Sequence, residues 1–84
     1  SMATEWGAHN VRVNAIAPGY FQTELTQKLV EDPDFDSWVK SEVPLRRWGN
    51  PQELVGTAIY LASNASSYLT GQTISIDGGW QASL

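Results

Sequence analysis

The chain has 84 residues, 42% of them hydrophobic, no cysteine, and nine acidic against five basic side chains, for a formal charge of −4. Without cysteine it has neither a disulfide framework nor a thiolate metal site, and a reducing cytoplasm suits it. It has no run of about 18 apolar residues and no basic-then-apolar leader, which argues against a membrane segment, and five scattered cations give no basic stripe for nucleic acid.

Size limits the core. One small core barely offsets the ordering entropy of so short a chain, and a strand apolar on both faces needs a layer on each side. The sequence is therefore expected to be a piece of something larger.

Ser1 to Trp6 reads as the last turns of a helix, without a cap at its start and with Gly7 as the C′ residue that ends it. His9 stands alone in the link that follows, with no second histidine and no carboxylate pair to make it a base or ligand. From Val11 the string V-R-V-N-A-I-A-P-G-Y-F-Q-T reads as a buried strand running into a turn. Pro18 has no amide for a ladder and Gly19 can take positive φ, so pairing is expected to stop there. Loops at the carboxyl ends of strands are where open α/β sheets bind ligands. The backbone amides and hydroxyl of Gly19 to Thr23 suit an amide-bearing or phosphorylated ligand; an ordinary strand-to-loop turn is the alternative reading.

Thr23 to Glu42 is helical in pattern, with Leu25 and Leu29 one turn apart and Phe35, Trp38 and Val39 on one face. Pro33 divides it, and the surrounding acids suit the start of the second helix. Those acids lack the glycine and terminal glutamate of a calcium loop, so no metal site is assigned. Two short amphipathic helices in this position are either a lid or elements that pack Leu25, Phe35 and Trp38 on the core. Arg46 and Arg47, in the connector before Gly49, are available to clamp an anionic substrate or to bond nearby carboxylates and carbonyls. Asn50 at the N-cap, Pro51 at N1 and Glu53 at N3 form a capping box that places a helix start, followed by an apolar stripe through Leu54, Val55, Ala58, Ile59, Leu61 and Ala62. Gly56 is a candidate close helix contact. Gln72 to Asp77 alternates as a second strand closed by Gly78 and Gly79, and the order strand, helices, strand makes a parallel βαβ unit.

No G-x-G-x-x-G or Walker cradle is present, and Tyr20, Tyr60 and Tyr68 are followed four positions later by Glu24, Asn64 and Gln72 rather than lysine. One histidine cannot complete a convincing Ser-His-Asp set.

The strings R-V-N-A-I-A-P-G at Arg12 to Gly19, G-N-P-Q-E-L at Gly49 to Leu54, L-A-S at Leu61 to Ser63 and L-T-G-Q-T-I-S-I-D-G-G at Leu69 to Gly79 resemble the C-terminal part of a short-chain dehydrogenase/reductase. The resemblance covers essentially all 84 residues. P-G-Y-F-Q-T-E-L-T at Pro18 to Thr26, with the later R-W-G-N-P-Q-E-L, is most similar to gluconate 5-dehydrogenase-like members, although polyol and oxoacyl reductases share much of it. The resemblance implies the C-terminal part of a Rossmann-type doubly wound parallel sheet and an α/β oxidoreductase. Its activity would be hydride transfer between NAD or NADP and a secondary alcohol or ketone, with a sugar acid or polyol as the candidate substrate. It implies that Pro18, Gly19 and Tyr20 lie along the nicotinamide, that the Phe21 backbone faces the carboxamide, and that Thr23 holds carboxamide or pyrophosphate. Asn14, Asp77, Gly78 and Gly79 would be structural, and residues 23–42 would be a substrate lid with Leu25 and Trp38 as contacts. The resemblance places no catalytic residue in this chain: the glycine-rich loop and the catalytic serine, tyrosine and lysine would lie before Ser1, leaving these residues alone inactive. It also implies a homo-oligomer, dimer or tetramer, paired through Pro51 to Ala62 and Thr73 to Asp77. The alternative is a catalytically inactive module that serves only assembly, for which Val13, Ile16, Ile74 and Ile76 are expected to be exposed apolar surface.

Overall fold

The computed structural model describes residues 1–83. In chain order it has α1 (Met2–Gly7), β1 (Ala15–Pro18), α2 (Gln27–Glu31), α3 (Pro33–Glu42), α4 (Pro51–Ala62) and β2 (Thr73–Ile76), with 3-10 turns at Asn64–Ser66 and Gln81–Ser83. The strands pair in parallel, Ala15 opposite Thr73 through Pro18 opposite Ile76, so the chain forms the expected βαβ unit.

Pairing ends at Pro18 as expected, with Pro18 itself opposite Ile76. The amides of Ala15 and Gly19 donate to Gln72 and Ile76 of the β2 side at 2.9 Å each. Donors toward one neighbour alternate along a strand, so the Pro18 nitrogen faces the other edge, where its missing hydrogen costs this pair nothing. Gly19, however, does not take positive φ; among glycines that role falls to Gly71, Gly78 and Gly79. The need for glycine at position 19 is steric, because a Cβ there would sit 2.6 Å from Asp77 Cβ and 2.8 Å from Asp77 Cα.

The strand is also shorter than the pattern from Val11 predicts. Val13 to Asn14 are held by side chains: the Thr70 hydroxyl accepts the Val13 amide at 3.0 Å, and Asn14 bridges the Leu69 carbonyl (3.0 Å) and the Gln72 amide (3.1 Å). Arg12 donates to the carbonyls of Ser66 (2.6 Å) and Leu61 (3.2 Å), capping the end of α4 where its carbonyls lack helical partners. α1 begins on a cap after all, since Ser1 and Thr4 form a reciprocal capping pair; Gly7 lies inside it, and the left-handed residue is Asn10 (φ 59°). Val13, Ile16, Ile74 and Ile76 are half-buried rather than exposed.

Asp32 caps α3 by accepting from the amides of Asp34 and Phe35, with Pro33 at N1, so the break falls where proline and the acids placed it. Asn50 and Glu53 cap α4 as the spacing predicts. The core lies beside the tip of the sheet: Val39 (0% exposed), Val43 and Trp48, with Tyr20, Val30, Phe35 and Trp80 against them. Leu25 does not join it; it is 97% exposed in the turn before α2. α4 buries no residue, Val55 and Ile59 are exposed, and a Cβ on Gly56 would meet nothing within 4 Å, so the expected close helix contact is not found among the described residues. A radius of gyration of 15.7 Å exceeds the roughly 12 Å of a compact domain this long. No described helix is long and apolar enough to cross a membrane.

Candidate functional site

The chain leaves the carboxyl tip of β1 at Gly19 and crosses toward α3. Phe21 lies opposite Gly49 in a parallel bridge: the Gly49 amide donates to the Tyr20 carbonyl (2.8 Å) and its carbonyl accepts the Gln22 amide (2.9 Å). In this geometry Gly49 bonds the residues flanking Phe21, and the amide and carbonyl of Phe21 itself face the opposite edge. The Phe21 carbonyl is taken by the Thr26 hydroxyl at 2.6 Å. Its amide has no hydrogen-bond partner among the described residues. The Phe21 side chain is 6% exposed, and a Cβ on Gly49 would lie 2.6 Å from its ring. Thr23, half-buried, gives its amide to Thr26 Oγ1 at 2.9 Å, while the two hydroxyls stand 3.4 Å apart.

Tyr20 is held by its ring. Phe35, Trp38, Trp48 and Trp80 all meet it edge-on, with centroids 5.8 to 6.1 Å away. The ring therefore ties the turn to α3, while its backbone stays at the strand tip. Trp38, 42% exposed, joins the candidate lid to the turn through this contact. The other lid candidate, Leu25, has its side chain in solvent. Pro18 and Gly19 form one wall of a cleft of about 310 Å³, completed by Tyr20, Asp77 and Trp80. Across it Asp77 accepts the amides of Gly79 and Gln81 at 3.0 Å each, fixing the turn after β2.

The connector is electrostatically closed. Arg47 makes a bidentate pair with Glu53 at 2.8 and 3.0 Å, and those bonds, with the Asn50 amide, lower the Glu53 carboxyl to about 2. Asp36 is also held below the usual carboxylate range, first by Lys40 at 2.9 Å and then by the Trp48 indole N–H at 2.8 Å. Of the two readings for the paired arginines, Arg47 follows the structural one; Arg46 sits exposed at φ 57°. Sequence reasoning gave no role to Thr26 or Arg12. Thr23-x-x-Thr26 spacing, which lets a hydroxyl bond backbone three residues away, was the available sign for Thr26.

Residues 1–81 match the family model described as enoyl-(acyl carrier protein) reductase. The gluconate 5-dehydrogenase of Gluconobacter oxydans is 49% identical over 83 residues, spanning 99% of this chain and 32% of that protein. The chain belongs to the short-chain dehydrogenase/reductase family. Another member, the 2-dehydro-3-deoxy-D-gluconate 5-dehydrogenase of Dickeya dadantii, is 52% identical over 81 residues, 96% of this chain and 32% of its own length. The crystal structure of a gluconate 5-dehydrogenase from Burkholderia cenocepacia, in complex with NADP and tartrate, superposes with a TM-score of 0.91 at 43% identity over 99% of this chain and 32% of that one. This short-chain dehydrogenase/reductase chain thus spans about a third of the length of the relatives it matches, and its parallel pair is a portion of the family's Rossmann sheet.

Proposed function

We propose that these residues form the nicotinamide side of an NAD(P)-dependent oxidoreductase acting on a secondary alcohol or ketone of the sugar-acid or polyol class. The observation that carries the reading is the outer edge of Phe21, a free amide at the strand tip with the Thr23 hydroxyl two residues on. A carboxamide offers an acceptor and two donors, which match an N–H and a hydroxyl oxygen. The bound dinucleotide would carry the hydride, its oxidised form taking one from an alcohol and its reduced form giving one to a ketone. Pro18 and Gly19 would bound the nicotinamide, the Tyr20 backbone would carry the chain past it, and residues 23–42, with Leu25 and Trp38, would form the substrate lid. Proton transfer at the substrate oxygen falls to groups outside these 84 residues, which contain no tyrosine followed four positions later by lysine. The 84 residues alone are therefore expected to be inactive.

A second reading, an inactive assembly module, draws on the uncovered apolar face of α4 at Val55 and Ile59. Intact mass and activity separate the two. A polypeptide about three times this length that oxidises gluconate-type sugar acids with NAD or NADP, and loses cofactor affinity in Thr23→Val, supports the dehydrogenase. A 9.2 kDa chain forming stable dimers without activity supports the module.

A further inference from the structure

We infer that Thr26 is a positioning residue for the nicotinamide carboxamide, a conclusion that rests on the dehydrogenase reading above. The two peptide groups flanking Phe21 are held from their inner side by Gly49, through the Tyr20 carbonyl and the Gln22 amide. On the outer side the Thr26 hydroxyl is the group bonded to this edge among the described residues. It lies 2.6 Å from the Phe21 carbonyl, 3.3 Å from the Thr23 carbonyl, and 2.9 Å from the Thr23 amide.

A hydroxyl has one proton to give. The shorter contact takes it, so Thr26 donates to Phe21 and accepts from the Thr23 amide. Two consequences follow for a ligand. With the Phe21 carbonyl already bonded to Thr26, the Phe21 amide is the backbone group on this edge without a partner among the described residues, and it calls for the carboxamide oxygen. With the Thr26 proton committed to Phe21, the Thr23 hydroxyl keeps an oxygen available to accept from the carboxamide NH2. Thr26 thereby fixes which way round the amide sits, although it lies behind the edge. Its position at the start of α2 anchors this order to the first of the two lid helices.

The test uses the full-length enzyme and three variants. Thr26→Val removes the hydroxyl at nearly constant volume and is expected to raise the KM for the nicotinamide dinucleotide about tenfold, as loss of hydrogen bonds that set the loop should, with kcat changed much less. ADP-ribose, which lacks the nicotinamide, should bind Thr26→Val as it binds the parent. Thr26→Ser should restore the KM. If Thr26→Val weakens ADP-ribose and the dinucleotide equally, the residue is merely structural and the inference falls. If Thr23→Val raises the KM while Thr26→Val does not, the inference falls and the dehydrogenase reading of the loop stands. If neither variant moves it, both fall.

Discussion

Truncating Tyr20 to alanine would remove the ring on which four aromatic side chains converge. The contacts are edge-on, with interplanar angles from 71° to 89° and centroids no more than 6.1 Å apart. Such pairs each contribute about 0.5–1.5 kcal/mol beyond the area they bury, but they share one ring and do not add independently. Removing a core aromatic costs about 3–5 kcal/mol, and because Tyr20 is only half-buried the lower end applies, about 3 kcal/mol. Urea unfolding followed by tryptophan fluorescence measures this directly, because Trp38, Trp48 and Trp80 all touch the ring while Trp6 lies outside the cluster. Tyr20→Phe is the control. The hydroxyl has no hydrogen-bond partner among the described residues, so its loss should change stability by less than about 0.5 kcal/mol and leave the cofactor KM unchanged. A Tyr20→Ala cost below about 1 kcal/mol, or a Tyr20→Phe cost equal to it, would refute the role given to the ring.

Gly19→Ala should destabilise by at least about 1–3 kcal/mol in thermal unfolding, because the new methyl meets the Asp77 backbone at 2.8 Å, which no rotamer change relieves. Gly7→Ala, where nothing lies within 4 Å, is the matched control and should be neutral or stabilising. Glu53 has its carboxyl lowered from 4.5 to about 2, so the stability it contributes is complete above 4.5 and is lost as pH falls through about 2. Glu53→Gln should flatten the acid limb of a stability–pH profile in that window, and an unchanged limb would contradict the Arg47 pairing.

Legibility in the sequence followed the range of the interaction. The start of α4 was readable to the residue because Asn50, Pro51 and Glu53 act within one turn. The division at Pro33 and the glycine turn after β2 were readable for the same reason. Pro18 marked the end of β1, although its missing amide matters only toward the edge it faces, and a sequence does not say which edge that is. Leu25 fitted a helical stripe, but the Thr26 hydroxyl bonds back to Phe21 and delays α2 until Gln27. Arg12 could be counted as a charge, yet its use at the end of α4 joins residues 49 and more positions apart. The convergence of Phe35, Trp38, Trp48 and Trp80 on Tyr20 is likewise non-local, and no periodicity in a single element announces it.

The Phe21 amide is the group that would receive the carboxamide, and its backbone resonance in the full-length protein reports that contact most directly. Titration with NAD or NADP should shift that resonance strongly, while ADP-ribose, which carries no carboxamide, should leave it in place. A Phe21 amide indifferent to the nicotinamide dinucleotide, or shifted equally by both ligands, would contradict the claim that this turn receives the nicotinamide.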